Sequence, residues 1–500
     1  MVQTTNPKGA AKVEVVRIIP WLRVRILPVP IYIPESSCRM LDGLLAHAML
    51  VLGTLLGLVA LAQMLIQRRS PQGTAAWFLV IVLVPWLGVP LYLMLGGRKM
   101  REMARSKDQV ALDQTARPAP PYSPIEGQLR ASGIPPASGG NSLTLNPDGV
   151  AGFHSLVEMI ELAESSIWYA TFILGRDNVG RAILEQLVHK ASEGVAVKLL
   201  LDGVGSFHAN RRFLAPLIEA GGEVAYFMPL LHRPFRGRTN LRNHRKMTIV
   251  DGRRVWSGGC NTSGDYIGPR RDARRWTDLS FAIEGPAVDS FAQVFASDWA
   301  FATNGTPSDI NARDREYIVD EPDQCLLQVV PSGPDVPNDA LLGALLTGIY
   351  RAGTRIRIIT PYFVPPDAVT QALCLAARRG VAVDVLVPAV SNHHLADWAR
   401  GPHLRDIQHA GGRVFAFPKM IHAKTWLFDD ETAMIGSANC DERSLLLNYE
   451  VMTVIYRGAA LRETAAWIDD QFGRATAWRS PTGRFRQTGE GMAELVAPLI

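Results

Sequence analysis

Three patterns of apolar and polar positions follow one another along the chain. The first is apolar without interruption. Residues 44–66, LLAHAMLVLGTLLGLVALAQMLI, run 23 positions without Asp, Glu, Lys or Arg, and residues 75–95, AAWFLVIVLVPWLGVPLYLML, run 21. At about 1.5 Å of rise per helical residue, each run is long enough to cross a hydrocarbon layer of about 30 Å. Buried helices of a globular core seldom run this far without a polar face, so two membrane-spanning helices are expected. Pro85 and Pro90 in the second run suit a kinked membrane helix better than a soluble one. The short loop between the runs carries Arg68 and Arg69, whereas Arg98, Lys99, Arg101, Arg105 and Lys107 follow the second run. Basic residues gather on the cytoplasmic side, so the pattern predicts a hairpin with both ends, and the large C-terminal part, in the cytoplasm. Residues 1–43 mix bases with bulky apolar side chains and lack the apolar run of a signal peptide. They read as a leader, lying at the bilayer surface or disordered.

The second pattern, residues 97–146, is basic at first and then rich in Pro, Gly and Ser (ARPAPPYSP, SGIPPASGG), a composition that predicts a linker. The third alternates short apolar strands with helical stretches, and it occurs twice. SSIWYATFIL (Ser165 to Leu174) is echoed by TRIRIITPYFV (Thr354 to Val364), and EGVAVKLLLDGVGS (Glu193 to Ser206) by RGVAVDVLVPAVSN (Arg379 to Asn392). Strand, helix, Gly turn and strand make a βαβ unit, so each copy predicts an α/β fold with a parallel or mixed sheet flanked by helices.

Each copy then reaches a cluster of reactive side chains. NLRNHRKMTIVDG holds His244, Lys246 and Asp251, and IHAKTWLFDD holds His422, Lys424 and Asp429 at the same spacing. Asn261 and Asn439 each lie 17 residues after their histidine, in the small-residue turns SGGCN and IGSAN. A lone H-x-K is most simply a polar strand; the same spacing twice, with the same turn after it, points to paired half-sites. In extended backbone His244 and Lys246 share a face, as do His422 and Lys424. A lysine can neutralise a phosphate oxygen and lower the proton affinity of a neighbouring imidazole, which favours a neutral, nucleophilic ring. An asparagine after a Gly turn can donate to a further phosphate oxygen. Asp251-Gly252 is also a tight-turn signal, so structural and catalytic readings of Asp251 and Asp429 both stay open.

Composition adds limits. At 500 residues the chain has room for two or three domains, and a net charge of +5 excludes a whole-chain polyanion binder. Its five cysteines are scattered, without the paired spacing of structural zinc or a disulfide framework. No H-E-x-x-H, phosphate-loop lysine or carboxylate cluster is present, so no metal or cofactor is expected. Cys260 and Cys440, in matching turns, read as small packing residues. Trp168, Tyr169 and the aromatics of TPYFV read as core or as the wall of a lipid groove.

H-x-K-x-x-x-x-D twice, each followed by a G-G/S-x-N turn, resembles the phospholipase D superfamily. RNHRKMTIVDG, IEGPAV, TPYFVPPD, GSANCDERSLLLNYE and the hairpin SPQGTAAWFLVIVLVPWLGVPLYLMLGG are similar to its bacterial cardiolipin synthases, over about Leu44 to Ser480. The resemblance implies two tandem phospholipase D-like sandwich repeats related by a pseudo-twofold axis, at 147–315 and 316–485, after transmembrane helices at 44–66 and 75–95 and before a C-terminal tail at 486–500. It implies a multi-pass protein of the inner membrane. Its activity would be transfer of a phosphatidyl group from one phosphatidylglycerol to another, giving cardiolipin and glycerol through a phosphatidyl-histidine. His244 and His422 would be nucleophile and general acid, with His244 the suggested nucleophile. Lys246, Lys424, Asn261, Asn439 and Ser437 would hold the phosphate, and Asp278 (WTD) and Glu450 (NYE) would orient the histidines.

The chain departs from the family pattern at WTDLS, Trp276 to Ser280, where W-R-D-T-H is usual. It departs again at Asn392, followed by His393 and His394, where an acidic residue is usual. Both departures bear on which alcohol accepts the group. Basic clusters at Arg233, Arg236, Arg238, Arg242, Arg245 and Lys246, and at Arg270, Arg271, Arg274 and Arg275, are expected to attract anionic lipid headgroups. The membrane hairpin argues against a nucleic-acid substrate. A phospholipase D using water as acceptor and a non-catalytic lipid-binding scaffold stay open as alternatives.

Overall fold

A computed structural model of the chain describes residues 47, 51–59, 62, 71–84, 86–89, 107, 109–110, 112, 121–228, 241–306, 324–480 and 483–496. It forms two compact units, Met1–Gly96 and Gly97–Ile500. In the first, residues 51–59 are helical, and helix α1 (Pro71–Leu83) begins on a proline, whose missing N–H has no partner to lose at a helix start. Most large apolar side chains described in this unit are exposed, among them Leu55, Leu58, Val59, Leu79, Val82 and Leu83. No helix among the described residues is long and apolar enough to cross a membrane. Much of both expected spans lies outside the described residues, as do Pro85 and Pro90, the leader at 1–43 with Cys38, and Arg98, Lys99, Arg101 and Arg105.

In the second unit the duplicated sequence folds as a duplicated structure. The first half carries strands β1 (Ser138–Asn146), β2 (Ser166–Thr171), β3 (Ala196–Asp202), β4 (Glu223–Phe227), β5 (Met247–Val250), β6 (Arg254–Gly258) and β7 (Ser280–Glu284). The second carries β8 (Cys325–Ser332), β9 (Arg355–Ile359), the short β10 (Phe363–Val364), β11 (Ala382–Pro388), β12 (Arg413–Phe417), β13 (Thr425–Phe428), β14 (Thr432–Gly436), the short β15 (Cys440–Asp441), β16 (Glu450–Arg457) and β17 (Thr476–Ala477). One sheet runs β17-β12-β11-β9-β13-β14-β16-β8-β1-β7-β6-β5-β2-β3-β4. Read outward from the antiparallel β1·β8 pair, both halves give the same order: four antiparallel neighbours, then two parallel pairings. The parallel strands are joined by helices α4 (Asn178–Ser192) and α8 (Asp367–Arg378), as the repeated βαβ pattern predicts.

The core has three parts. Helix α3 (Gly149–Glu161), α4 and α5 (Arg211–Glu219) cover the first half's outer face, and α7 (Ala340–Arg351), α8 and α9 (His394–His409) cover the second's. The central core takes side chains from both halves, with Phe291 and Phe295 of α6 (Ala287–Thr303) in one cluster with Trp467 and Ile468 of α11 (Ala459–Gly473), a helix that follows the short α10 (Glu442–Leu446). The halves therefore share one apolar interior, as two separate domains would not.

Two expected segments prove to be structured. The expected linker contains α2 (Pro124–Ala131), capped by the Ser123 hydroxyl, and β1, which joins the two halves. Its Gly and Ser content hides an alternation over residues 141–144, in which Asn141 and Leu143 point inward and Ser142 and Thr144 outward. The expected tail contains helix α12 (Arg484–Val496), packed along α9.

Candidate active site

The two reactive segments meet through main-chain bonds that cross between the halves. His244 N–H donates to Tyr449 C=O (2.8 Å) and Tyr449 N–H to Arg242 C=O (2.9 Å). In the same way His422 N–H donates to Thr277 C=O (2.7 Å) and Thr277 N–H to Met420 C=O (2.9 Å). The segment before each histidine thus pairs with the segment before the other half's buried acid. For this reason the H-x-K residues lie just ahead of regular β5 and β13 rather than within them.

Each histidine consequently receives a carboxylate from the opposite half. His422 Nδ1 lies 2.7 Å from Asp278 Oδ2, and His244 Nδ1 lies 3.3 Å from Glu450 Oε1. With the ionised Asp278 at Nδ1, the His422 ring carries its proton there and turns Nε2 toward Lys424. Burial first, and then the Lys424 charge, push the His422 ring down to about 4, so it is neutral at pH 7. Burial also pushes Lys424 down to about 7 and lowers Lys246. Burial alone would raise Asp278 and Glu450, but the facing histidines and lysines hold both below the usual carboxylate range. Lys424 Nζ reaches His422 Nε2 at 2.9 Å, and Lys246 Nζ donates to the His244 carbonyl at 2.6 Å.

Asn261 and Asn439 are buried beside these groups; Asn261 accepts from Ile173 N–H at 3.2 Å, whereas Asn439 Oδ1 has no hydrogen-bond partner among the described residues. Aromatic rings wall the site: Phe172 lies 4.1 Å from the His244 ring, and Tyr266 and Trp276 lie 4.9 and 5.7 Å from His422. Two imidazoles, two lysine side chains and two amides form an arrangement able to bind and displace at phosphorus.

A family profile described as "Cardiolipin synthase, PLD-like domain" matches residues 156–299 and 345–476. The chain belongs to this family. A second profile, "Phospholipase_D-nuclease N-terminal", matches residues 55–97. Cardiolipin synthase 1 of Bacillus cereus is 31% identical over 87% of this chain and 90% of its own length. Cardiolipin synthase A of a Pseudomonas putida strain is 32% identical over 89% of this chain and 96% of its own. The crystal structure of a phosphatidylserine synthase from Haemophilus influenzae shares the fold at a TM-score of 0.57 and 14% identity, covering 75% of this chain and all of that one.

Not every residue expected at the phospholipase D-like site is drawn into it. Asp251 and Asp429 occupy the far turns of the β5–β6 and β13–β14 hairpins, at φ of 52° and 50°. Asp251 accepts N–H bonds from Glu164, Ser165 and Ser166 at 2.7–2.9 Å, and Asp429 from Gly353, Thr354 and Arg355 at 2.7–2.8 Å. At about 3.3 Å per extended residue, each carboxylate stands about 16 Å beyond its lysine. They tie β2 and β9 to the hairpins and touch neither histidine. Ser437, expected to hold the phosphate, donates its hydroxyl to Glu450 Oε2 at 2.6 Å and accepts from Val451 N–H at 3.0 Å.

The basic cluster separates as well. Arg233, Arg236 and Arg238 lie outside the described residues; Arg242 and Arg245 are buried and paired, while Arg270, Arg271 and Arg274 are exposed. Cys260 and Cys440 are buried free thiols, Trp168 stacks on Phe295, and Tyr169 is bonded to Thr262 in the core.

One group is not singled out by the sequence pattern. Arg245, between His244 and Lys246, points to the opposite face and is fully buried. There it meets Asp298 at 2.7 Å and Asp335 at 3.1 Å and donates from Nε to Glu450 C=O at 3.0 Å. Lys107 pairs with the same two aspartates. This ionic knot lies behind Glu450 and fixes its main chain. Only the alternation of side-chain direction around Arg245 could have hinted at it, because its partners are 53 and 90 residues away.

Proposed function

We propose that the protein transfers a phosphatidyl group between two phosphatidylglycerol molecules, forming cardiolipin and releasing glycerol. The observation that carries this reading is the crossed pair of half-sites, each histidine oriented by the other half's acid, in a chain whose relatives are named cardiolipin synthases. One imidazole attacks phosphorus through Nε2; the P–O bond to glycerol breaks, and the departing alkoxide takes a proton from the second imidazole. That imidazole then removes the proton from the terminal hydroxyl of a second phosphatidylglycerol. The new alkoxide attacks phosphorus, the P–N bond breaks, and the first imidazole is restored. Following the family resemblance, His244 attacks, and His422, itself neutral at pH 7, passes to the alkoxide a proton drawn at Nε2 from the Lys424 ammonium 2.9 Å away and returns it there in the second half-reaction. Lys246 and Lys424 hold the non-bridging oxygens, and Asn261 and Asn439, buried beside them, donate from their amide N–H₂ groups.

The finer organisation belongs to the same proposal. Apolar runs 44–66 and 75–95 anchor the enzyme in the inner membrane as a hairpin, with the catalytic unit in the cytoplasm. The exposed apolar side chains of the N-terminal unit support this. The two repeats occupy 147–315 and 316–485, with β1 added ahead of the first.

The deciding experiment supplies purified protein with phosphatidylglycerol vesicles and separates cardiolipin, phosphatidic acid and glycerol. Cardiolipin with equimolar glycerol is expected. Phosphatidic acid alone would make water the acceptor, and no product at all would sink the enzymatic reading.

A further inference from the structure

A second cavity, of about 720 Å³, opens between α9 and α12 at the end of β11. Its size suits a small ligand or headgroup. Packing without side chains shapes it: a Cβ at Gly401 would strike Glu490, and one at Gly489 would strike Trp398. Its walls are charged. Arg400 Nη1 lies 3.0 Å from Asp397 Oδ1, yet neither of these buried atoms makes a hydrogen bond. Arg486 and Arg405 both pair with Glu490, at 2.9 and 2.7 Å, and the Arg486 guanidinium lies 4.4 Å over the Trp398 ring. Arg479 also lines the cavity and makes no hydrogen bond or ion pair among the described residues. Three guanidiniums, of Arg400, Arg479 and Arg486, thus line the cavity with two carboxylates, of Asp397 and Glu490, which leaves positive charge uncompensated. Val390 and Trp398, both exposed, line the cavity and give it an apolar lip.

The chain continues from this lip to the reacting groups. Val390 leads to Asn392, whose side-chain oxygen accepts from the Tyr362 hydroxyl at 2.7 Å, and His393 packs on the same tyrosine ring at 5.4 Å. Tyr362 in turn interacts electrostatically with Tyr266, the ring packed on His422. A cationic floor under an apolar lip fits a phosphate ester carried on an acyl chain.

We propose that this cavity binds the phosphate of a second anionic phospholipid and holds the acceptor molecule beside the loaded histidine. The proposal rests on the phosphatidyl-transfer reading above. Arg479 supplies the free guanidinium, Arg400 and Arg486 turn toward the anion, and Trp398 with Val390 receives the first part of its chain.

The test uses the full-length protein in detergent micelles with dihexanoyl phosphatidylglycerol as probe. R479E and R479A are compared with wild type for the probe concentration that half-saturates cardiolipin formation. Cardiolipin formed per glycerol released is measured as well, because that ratio isolates the second half-reaction from the first. Loss of a charge-assisted contact predicts a half-saturation raised about tenfold in R479E and a larger share of phosphatidic acid, with R479K restoring most of both. Unchanged half-saturation and product ratio in R479E and R479A would overturn the proposal. Competition by inorganic phosphate, with none from chloride at equal ionic strength, would assign the cavity to free phosphate and overturn the lipid source. Binding is read separately by calorimetry in the H244A background. Equal probe binding in H244A and H244A/R479E counts against the cavity. A wild type without turnover, combined with probe binding that R479E removes, supports the cavity while sinking the transfer reading.

Discussion

His422 lies 2.7 Å from Asp278 with 9% of its side chain exposed, whereas His244 lies 3.3 Å from Glu450 with 21% exposed. The residues behind the two acids account for the difference. At Gly259 any Cβ would overlap the Asp278 carboxylate, so the shorter acid fills that space. At the matching position Ser437 hydrogen-bonds the longer Glu450 and takes up one of its oxygens. Tyr266 and Trp276 flank His422, whereas Phe172 is the one ring packed on His244 among the described residues, tilted at 50°. A duplicated site has thus kept its chemistry and divided its environments. One half is more closed, with a lysine pushed down to about 7 by burial; the other is more open. Two imidazoles that must act in opposite directions at the same moment benefit from such a division.

The largest expected effect removes the pair. H244A and H422A should each lower cardiolipin formation by at least about a thousandfold, because either change deletes a nucleophile or a proton carrier. Retention of a tenth of the activity in either variant would be incompatible with a two-histidine mechanism. The next contrast is between the acids. D278N should cost about a hundredfold in kcat, and E450Q less, since the Asp278 contact is shorter and its histidine more buried. The pH profile separates charge from shape. Asp278's charge raises the pKa of both Lys424 and His422, so its removal lowers both. The wild-type kcat/KM should fall as pH rises through about 7, where Lys424 loses its proton, and D278N should move that limb to lower pH. A limb that stays in place would mean that Lys424 does not carry it.

Most of this comparison is legible in the chain before it folds, because duplication doubles every local signal. His244 and His422, their lysines and the two asparagines stand at equal spacing, and GVAV twice marks the parallel strands. What spacing cannot convey is which acid serves which histidine. Asp278 follows His244 in sequence yet serves His422, because the main-chain bonds at Thr277 and Tyr449 exchange partners between halves. Local composition misleads at β1, where glycine and serine mask an alternating strand that gains its stability from β7 and β8. The knot of Arg245, Asp298, Asp335 and Lys107 joins residues with no common motif, and only the fold brings them together.

Exchanging the residues behind the acids sharpens the comparison with a smaller effect. G259S should displace Asp278 and cut kcat about tenfold, whereas S437G removes one hydrogen bond worth about 1 kcal/mol and should lower activity only a few-fold. Equal losses in the two would show that the packing behind the acids is not what distinguishes the half-sites.

The smallest effect on chemistry is expected where the sequence motif points most firmly, at its final aspartates. Asp251 and Asp429 make matching sets of bonds, each carboxylate collecting three N–H groups and one hydroxyl at the start of β2 or β9. D251A and D429A should each destabilise the catalytic unit by about 2 to 4 kcal/mol, since hydrogen bonds to an ionised group are lost together. Activity per folded molecule should stay within about twofold of wild type, because no reacting atom is touched. The sign of the pH effect follows because burial alone would raise both carboxyls, but the N–H and hydroxyl bonds outweigh it and hold them below the ordinary 3.8. Their stabilisation is complete above that value and is lost as pH falls through the lower folded value, so the variants should lose less stability than wild type on acidification below about 4. Denaturant melts at pH 7 and pH 3, with activity corrected for the folded fraction, check both statements. A loss of turnover in fully folded D251A would return this aspartate to the catalytic set and end the distinction between the motif's two ends.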